Sequence, residues 1–376
     1  MKKNYLLSLV ALLLVVFSAY FVIDSKFGVF ASLRGAQPDK PGQAASSKGG
    51  DVDDIFFTTA SEGTPLQMQG FLKSGTPVDK RDVDGNTALI LAAGSNTTPE
   101  MIKVLIDAKA DINARNERGL SPIMAAADRN VNPSIIADLV SAGANIDEIG
   151  EDNTSPLLAS IFVNPNPAVP VEFIRLGADV NFSNRNGVTP LMAACFESRG
   201  PEVVEALLNA GAKVDAHNAA GVTAMALAVS AGDNLKVIEL LLDAGADVNA
   251  ANIRGQTILH YAMWGGGNPD IVGVLVKRGA NVNARYRDGL TPLLIGVEEK
   301  RPTATVKLLL DAGADVNSAN DAGFTPLMAA AKAGAEAEVV KLLRFAGADL
   351  SASDKEGRTA LDIAKNTKGT DVSLFE

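Results

Sequence analysis

The chain has 376 residues, of which 47% are hydrophobic, 21% charged and 5% aromatic, a composition that excludes disorder over most of its length. Its net charge of −10 is unevenly divided: residues 1–50 hold 6 Lys/Arg against 2 Asp/Glu, leaving −14 on residues 51–376, which argues against nucleic acid as a partner because phosphate contacts need clustered cations. The single cysteine, Cys195, excludes an internal disulfide framework and a cysteine-based zinc site.

At the N-terminus, Lys2 and Lys3 precede an uncharged run from Asn4 to Ile23, which Asp24 closes. About 20 apolar residues span a bilayer, and a signal-peptide hydrophobic region is usually shorter. Phe17-Ser18-Ala19 puts Phe where a cleavage site wants a small residue, and Val29-Phe30-Ala31 fits better but lies late. Residues 1–24 are therefore expected to form an uncleaved membrane anchor, with a cleaved signal as the alternative. The two lysines place the N-terminus inside and the rest outside the cytoplasm, in a periplasm or at the cell surface. Cleavage would instead release a secreted product. Residues 25–50, ending in QPDKPGQAASSKGG, read as a flexible linker.

From residue 51 onward the chain repeats itself. LLLDAGADVNAANIRG (Leu240–Gly255), VLVKRGANVNARYRDG (Val274–Gly289) and LLLDAGADVNSANDAG (Leu308–Gly323) fix a period of 34. One glycine column runs through Gly85, Gly119, Gly187, Gly221, Gly255, Gly289, Gly323 and Gly357, with Asn153 as its one substitute. Both residue types accept positive φ in a turn. A first helix is expected after each, because Ser or Thr followed by Pro supplies a hydroxyl cap and a pre-set φ, as at Ser121, Thr189, Thr291 and Thr325. Within it lies a column of small residues: Ala92, Ala126, Ser160, Ala194, Ala228, Ala262, Gly296 and Ala330. A second helix begins at a proline column (Pro65, Pro99, Pro133, Pro167, Pro201, Pro269) and carries apolar pairs such as Val203/Val204 with Leu207/Leu208. It ends at Ala-Gly-Ala, where glycine supplies a left-handed cap. Asp-Val-Asn then shapes an extended turn. Each buried Leu, Ile or Val contributes about 1.5–3 kcal/mol, and a lone helix pair cannot hide such a face, so neighbouring repeats must stack.

Gly-x-Thr-Pro-Leu-x-x-Ala-Ala, the Val-x-x-Leu-Leu helix and Gly-Ala-Asp-Val-Asn-Ala resemble ankyrin repeats. Tetratricopeptide repeats share the length of 34 but need a Trp-Leu-Gly-Tyr pattern that this chain lacks. The extra residue relative to the usual ankyrin length falls between the two helices, as in Gly265-Gly266-Gly267-Asn268. The resemblance implies an all-α repeat solenoid of stacked helix pairs with hairpin-like turns. Its parts are an N-terminal capping repeat at 51–84, eight repeats over 85–356 and a C-terminal capping repeat at 357–376. Two departures stand out. The family's histidine survives only as His260, its column elsewhere holding Ile90, Met124, Leu158, Met192, Ala226, Leu294 and Met328, so the hydrogen bonds that this histidine would make between hairpins are expected to be mostly absent. Residues 153–186 read as irregular, with IFVNPNPAVPVEF in place of a normal loop and Pro170 near the limit a first turn tolerates.

Little in the chain suits catalysis. Cys195 shares a core column with Ala127, Ile161, Val229, Met263 and Val297, and His217 lies on an exposed turn. Asp82-Val83-Asp84-Gly85-Asn86 imitates the middle of a calcium loop, but Lys80 and Leu91 occupy its end positions. The chain is read as no enzyme, with no cofactor, no metal and no small-molecule substrate. By resemblance, binding falls at hairpin tips and at the close of the first helix. Among those positions, Trp264, Tyr286, Arg287, Arg254, Phe196, Arg185, Arg118 and Arg129 are the candidate partner-binding residues, since Trp, Tyr and Arg anchor interfaces. The expected function is non-catalytic protein binding on the concave face of a membrane-tethered array exposed outside the cytoplasm, the partner being another protein. The alternatives are a self-assembling envelope spacer and a secreted effector.

Overall fold

The computed structural model describes residues 52–150, 153–232 and 234–376. The anchor expected at 1–24 and the linker at 25–50 lie outside the described residues, among which no helix is long and apolar enough to cross a membrane. The fold is all-helical: among the described residues there are helices and isolated bridges, but no strands. Two compact units divide at Asn186/Gly187.

The first unit holds α1 (Val52–Glu62), α2 (Pro65–Lys73), α3 (Ala88–Ser95), α4 (Pro99–Asp107), α5 (Pro122–Arg129), α6 (Ser134–Ser141), α7 (Pro156–Val163) and α8 (Ala168–Arg175). The second holds α9 (Pro190–Phe196), α10 (Pro201–Asn209), α11 (Ala224–Ala231), α12 (Leu235–Asp243), α13 (Ile258–Trp264), α14 (Pro269–Lys277), α15 (Pro292–Glu298), α16 (Thr303–Asp311), α17 (Pro326–Ala333), α18 (Ala337–Phe345) and α19 (Ala360–Lys365). Within each unit, first helices stack on first helices and second helices on second helices.

The local chemistry follows the repeat. Thr189 is extended, its hydroxyl accepts a hydrogen bond from the Met192 amide at 3.3 Å, and Pro190 opens the helix; Ser121, Ser155, Thr291 and Thr325 do the same. Helices of seven or eight residues are too short to persist alone. They persist here because neighbours enclose them: Pro190 to Cys195 are all buried in α9, whereas α10 buries only Val203, Val204 and Leu207. The turn glycines all have φ between 71° and 83°, and Asn153 takes 60° in the same column. Each Asp-Val-Asn turn is an Asx-turn, as where Asp247 accepts from the Asn249 amide at 2.8 Å.

Hairpins do not depend on histidine for their ties to one another. Asp84 O accepts from Glu117 N at 3.2 Å, and Asp288 O from Asp321 N at 2.7 Å. The asparagines of the turns add a second ladder: Asn283 accepts from the Asp315 amide at 2.8 Å and donates to Gly313 O at 3.0 Å, and Asn317 repeats this with Asp349 and Gly347. A turn motif thus doubles as a bond between repeats.

Nor is the 162–170 loop irregular. Asn96, Asn130 and Asn164, 34 apart, are buried at the close of α3, α5 and α7. Asn130 donates to Ala93 O at 2.8 Å and Asn96 O at 2.9 Å. Asn164 donates to Ala127 O and Asn130 O at 3.1 and 3.0 Å, and Asn96 to Ala60 O and Gly63 O at 3.3 and 3.1 Å. Each also accepts from the amide two residues on, at Thr98, Asn132 or Asn166. NPNP is therefore one rung of a buried asparagine ladder. In the second unit the same column (Ser198, Gly232, Gly266, Lys300, Gly334) is left-handed instead, with φ from 50° to 107°.

Candidate functional site

His260 and Trp264 lie one turn apart on α13, and Tyr286 comes from the following hairpin. The three rings meet. Trp264 stacks on His260 at 6.2 Å and 29°, and Tyr286 stands edge-on to Trp264 at 5.6 Å and 83°, and 5.9 Å from His260. His260 is wholly buried, while Trp264 and Tyr286 remain half-exposed. Nδ1 of His260 accepts from the Thr257 amide at 3.2 Å, so the proton sits on Nε2 and is donated to Leu290 O at 3.2 Å. Burial holds its pKa down to about 4, which keeps it neutral, as a structural pin between two repeats.

Tyr286 breaks a scaffold column. Thirty-four residues either side stand Asn252 and Asn320, which close their hairpins by accepting from two amides: Arg254 and Gln256 at 2.9 and 3.1 Å, Ala322 and Phe324 at 2.9 and 3.0 Å. A phenol cannot make these bonds. The hairpin turns instead through a 3-10 segment, Arg287–Gly289, with Asp288 at φ 57°. The hairpin loses these side-chain bonds but keeps its backbone closure, Tyr286 N donating to Leu290 O at 2.8 Å and Gly289 N to Tyr286 O at 2.9 Å, and the ring stays half-exposed.

The arginines sort into two kinds. Arg115 binds Glu148 and Gly119 O, Arg129 pairs with Asp128 at 3.0 Å, Arg285 reaches Ala319 O, Arg344 holds the C-terminal Leu374 and Glu376 carbonyls, and Arg358 pairs with Asp354. Arg118, Arg185, Arg254 and Arg287 are exposed, and their guanidinium groups have no ion pair or hydrogen bond among the described residues. All four occupy hairpin tips.

Groups that could carry chemistry are committed elsewhere. Cys195 is buried, and burial pushes its thiol up to about 12, so no thiolate nucleophile exists near neutrality. Asp82 spends Oδ1 on the Asp84 and Asn86 amides and Oδ2 on the Asn86 side chain, all at 2.8 to 2.9 Å. It is a turn former.

Comparison with known proteins fits this arrangement. Family models described as ankyrin repeats (3 copies) match residues 56–150, 123–218, 157–252, 197–286 and 251–320, and one described as ankyrin repeats (many copies) matches 309–364. The chain belongs to the ankyrin repeat family. Among solved structures, the ankyrin repeat domain of Bcl-3, titled a unique member of the IkappaB protein family, is 31% identical, covers 57% of this chain and 95% of its own, and has a TM-score of 0.49. No curated protein matches. Ankyrin repeats are generally non-catalytic interaction modules, and protein binding is the coarse function of this one.

Of the residues singled out from the ankyrin pattern, Trp264 and Tyr286 pack together, with Arg254 and Arg287 on the two hairpins beside them in the second unit. Phe196 closes α9, in Trp264's column two repeats earlier. Arg118, Arg129 and Arg185 belong to the first unit and are no part of this cluster. One residue of the site escaped the sequence reading: Ile253 is 75% exposed on the tip beside Arg254. Its column also holds Val83, which is 95% exposed, so an aliphatic at that position did not by itself single out this tip in the sequence.

Proposed function

We propose that this ankyrin protein is a non-catalytic binding module that holds a protein partner on the concave face of its second unit, through Trp264, Tyr286, Arg254, Arg287 and Ile253. The observation that carries the reading is the coincidence of half-exposed aromatic rings with arginines that the fold leaves unpaired. Aromatic and Arg side chains are the residues that dominate interface energies.

The same reading tethers the module to a membrane by residues 1–24, with the repeats outside the cytoplasm. The support is the uncharged run Asn4–Ile23 behind Lys2 and Lys3. The test is affinity capture from detergent-solubilised membranes with the full chain and with a Trp264→Ala, Arg287→Ala variant. A protein held by the first is expected to be lost from the second. Equal retention by both would overturn the site, and retention of nothing but further copies of the chain would favour a self-assembling spacer.

A further inference from the structure

Stacked hairpins in the second unit are stitched tip to tip at a spacing of 33. Ala220 O accepts from Ile253 N at 3.2 Å, Asp288 O from Asp321 N at 2.7 Å, and Ala322 O from Lys355 N at 3.0 Å. The corresponding pair between the second and third of these hairpins is Arg254 O with Arg287 N. Among the described residues neither atom makes a backbone hydrogen bond.

Packing shows the same opening. A methyl placed on Gly221 would lie 2.8 Å from the Ile253 amide, and one on Gly323 3.1 Å from Asp354 Cα. At Gly255 the nearest atom is Arg285 O, at 4.0 Å. The hairpin bearing Tyr286 therefore stands off from its predecessor, and the cause is local. Without an asparagine to close it, the turn runs through the 3-10 segment with Asp288 left-handed.

The opening is edged by one free backbone donor, one free backbone acceptor, two unpaired guanidinium groups and the exposed side chain of Ile253, with the Trp264–Tyr286 pair beside it. Of the neighbouring carboxylates, Asp321 lies 3.7 Å from Arg285, and Asp288 is exposed. An extended peptide offers a carbonyl and an amide in alternation, which is how strand addition works at a sheet edge. Guanidinium forks favour carboxylates.

We propose that an extended, acidic segment of the partner protein lies across the tips of hairpins 252–256 and 286–290, where they stand off from each other. Its main chain bonds the Arg287 amide and the Arg254 carbonyl, its carboxylates lie on the two guanidinium groups, and an apolar side chain rests on Trp264 and Tyr286. This deepens, and rests on, the reading of these residues as the contact surface.

Trp264 is the chain's only tryptophan, so its emission reports the site directly. The full chain is titrated with a blocked peptide alternating glutamate and valine, and with its glutamine and lysine counterparts. The glutamate peptide is expected to shift the emission saturably, the glutamine peptide to bind about tenfold more weakly, and the lysine peptide to leave the emission unchanged. An Arg254→Ala, Arg287→Ala variant should lose the glutamate peptide by about tenfold or more; both side chains are exposed and unpaired, so folding is untouched. A double Arg→Lys variant should keep part of the affinity.

Equal binding of glutamate and glutamine peptides, no emission change with either, or full affinity in the double alanine variant would each overturn the proposal. Should that happen while partner capture still depends on Trp264, the contact surface stands and only its acidic ligand class falls. A partner retained without Trp264 removes the surface itself.

Discussion

His260 is the residue on which acidity acts most directly. Its ring is enclosed by Thr257, Trp264, Tyr286 and the Leu290 carbonyl, and burial lowers its pKa from 6.5 to about 4. An unfolded chain therefore binds a proton that the folded chain refuses between those two values. The stabilisation that follows is complete above pH 6.5 and is lost as the pH falls towards 4; at 1.36 kcal/mol per decade it amounts to about 3 kcal/mol. His260→Met restores the residue type found in this column at Met124, Met192 and Met328. Urea midpoints for the two proteins should diverge on acidification, the wild type falling further, and parallel pH profiles would show that the ring carries no such penalty. The proposed partner surface rests at this scale on Tyr286, whose ring stands where Asn252 and Asn320 spend their side chains on their own turns.

At the scale of the element, the loops joining first to second helices separate the two units. The asparagine ladder of the first unit satisfies two buried carbonyls per rung, and removing a partner from a buried carbonyl costs about 1–3 kcal/mol. Asn130→Ala strips the donor from both Ala93 O and Asn96 O, so a loss of about 2–4 kcal/mol is expected. Circular dichroism follows all the helices, whereas the emission of Trp264 follows the second unit alone. The substitution should move the first transition more than the second, and equal shifts would mean that the repeats unfold as one. Helices, caps and turn glycines were legible in the sequence because each has one physical requirement that few residues meet: a hydroxyl before proline, or a residue tolerant of positive φ. The ladder was not. NTTP, NVNP and NPNP look like unrelated loops until Asn96, Asn130 and Asn164 are seen to point the same way into the same kind of gap. The ties made by Asn283 and Asn317 were hidden similarly, since an asparagine that shapes its own turn gives no sign that its amide also reaches the next repeat.

For the molecule as a whole, charge and repetition together define what is left for recognition. Stacking fixes the framework columns, so information about a partner can reside only where repeats differ. Residues 51–376 carry −14, yet among the described residues Arg118, Arg185, Arg254 and Arg287 have no ion pair on their hairpin tips, and in the second unit two of them flank half-exposed aromatic rings. Sequence variation between repeats pointed to those tips; what it could not reveal was the spacing of the hairpins, because the gap beside Gly255 arises from how one turn closes rather than from any side chain in it. The central claim is that a protein partner sits on this gap and its aromatic border. Its most direct test is amide hydrogen exchange on the full chain, alone and with the protein it retains. Exchange should slow across 252–256 and 286–290, the Arg287 amide included, with the second helices at 235–243, 269–277 and 303–311 unchanged. Protection confined to those second helices, or to residues 52–186, would contradict it.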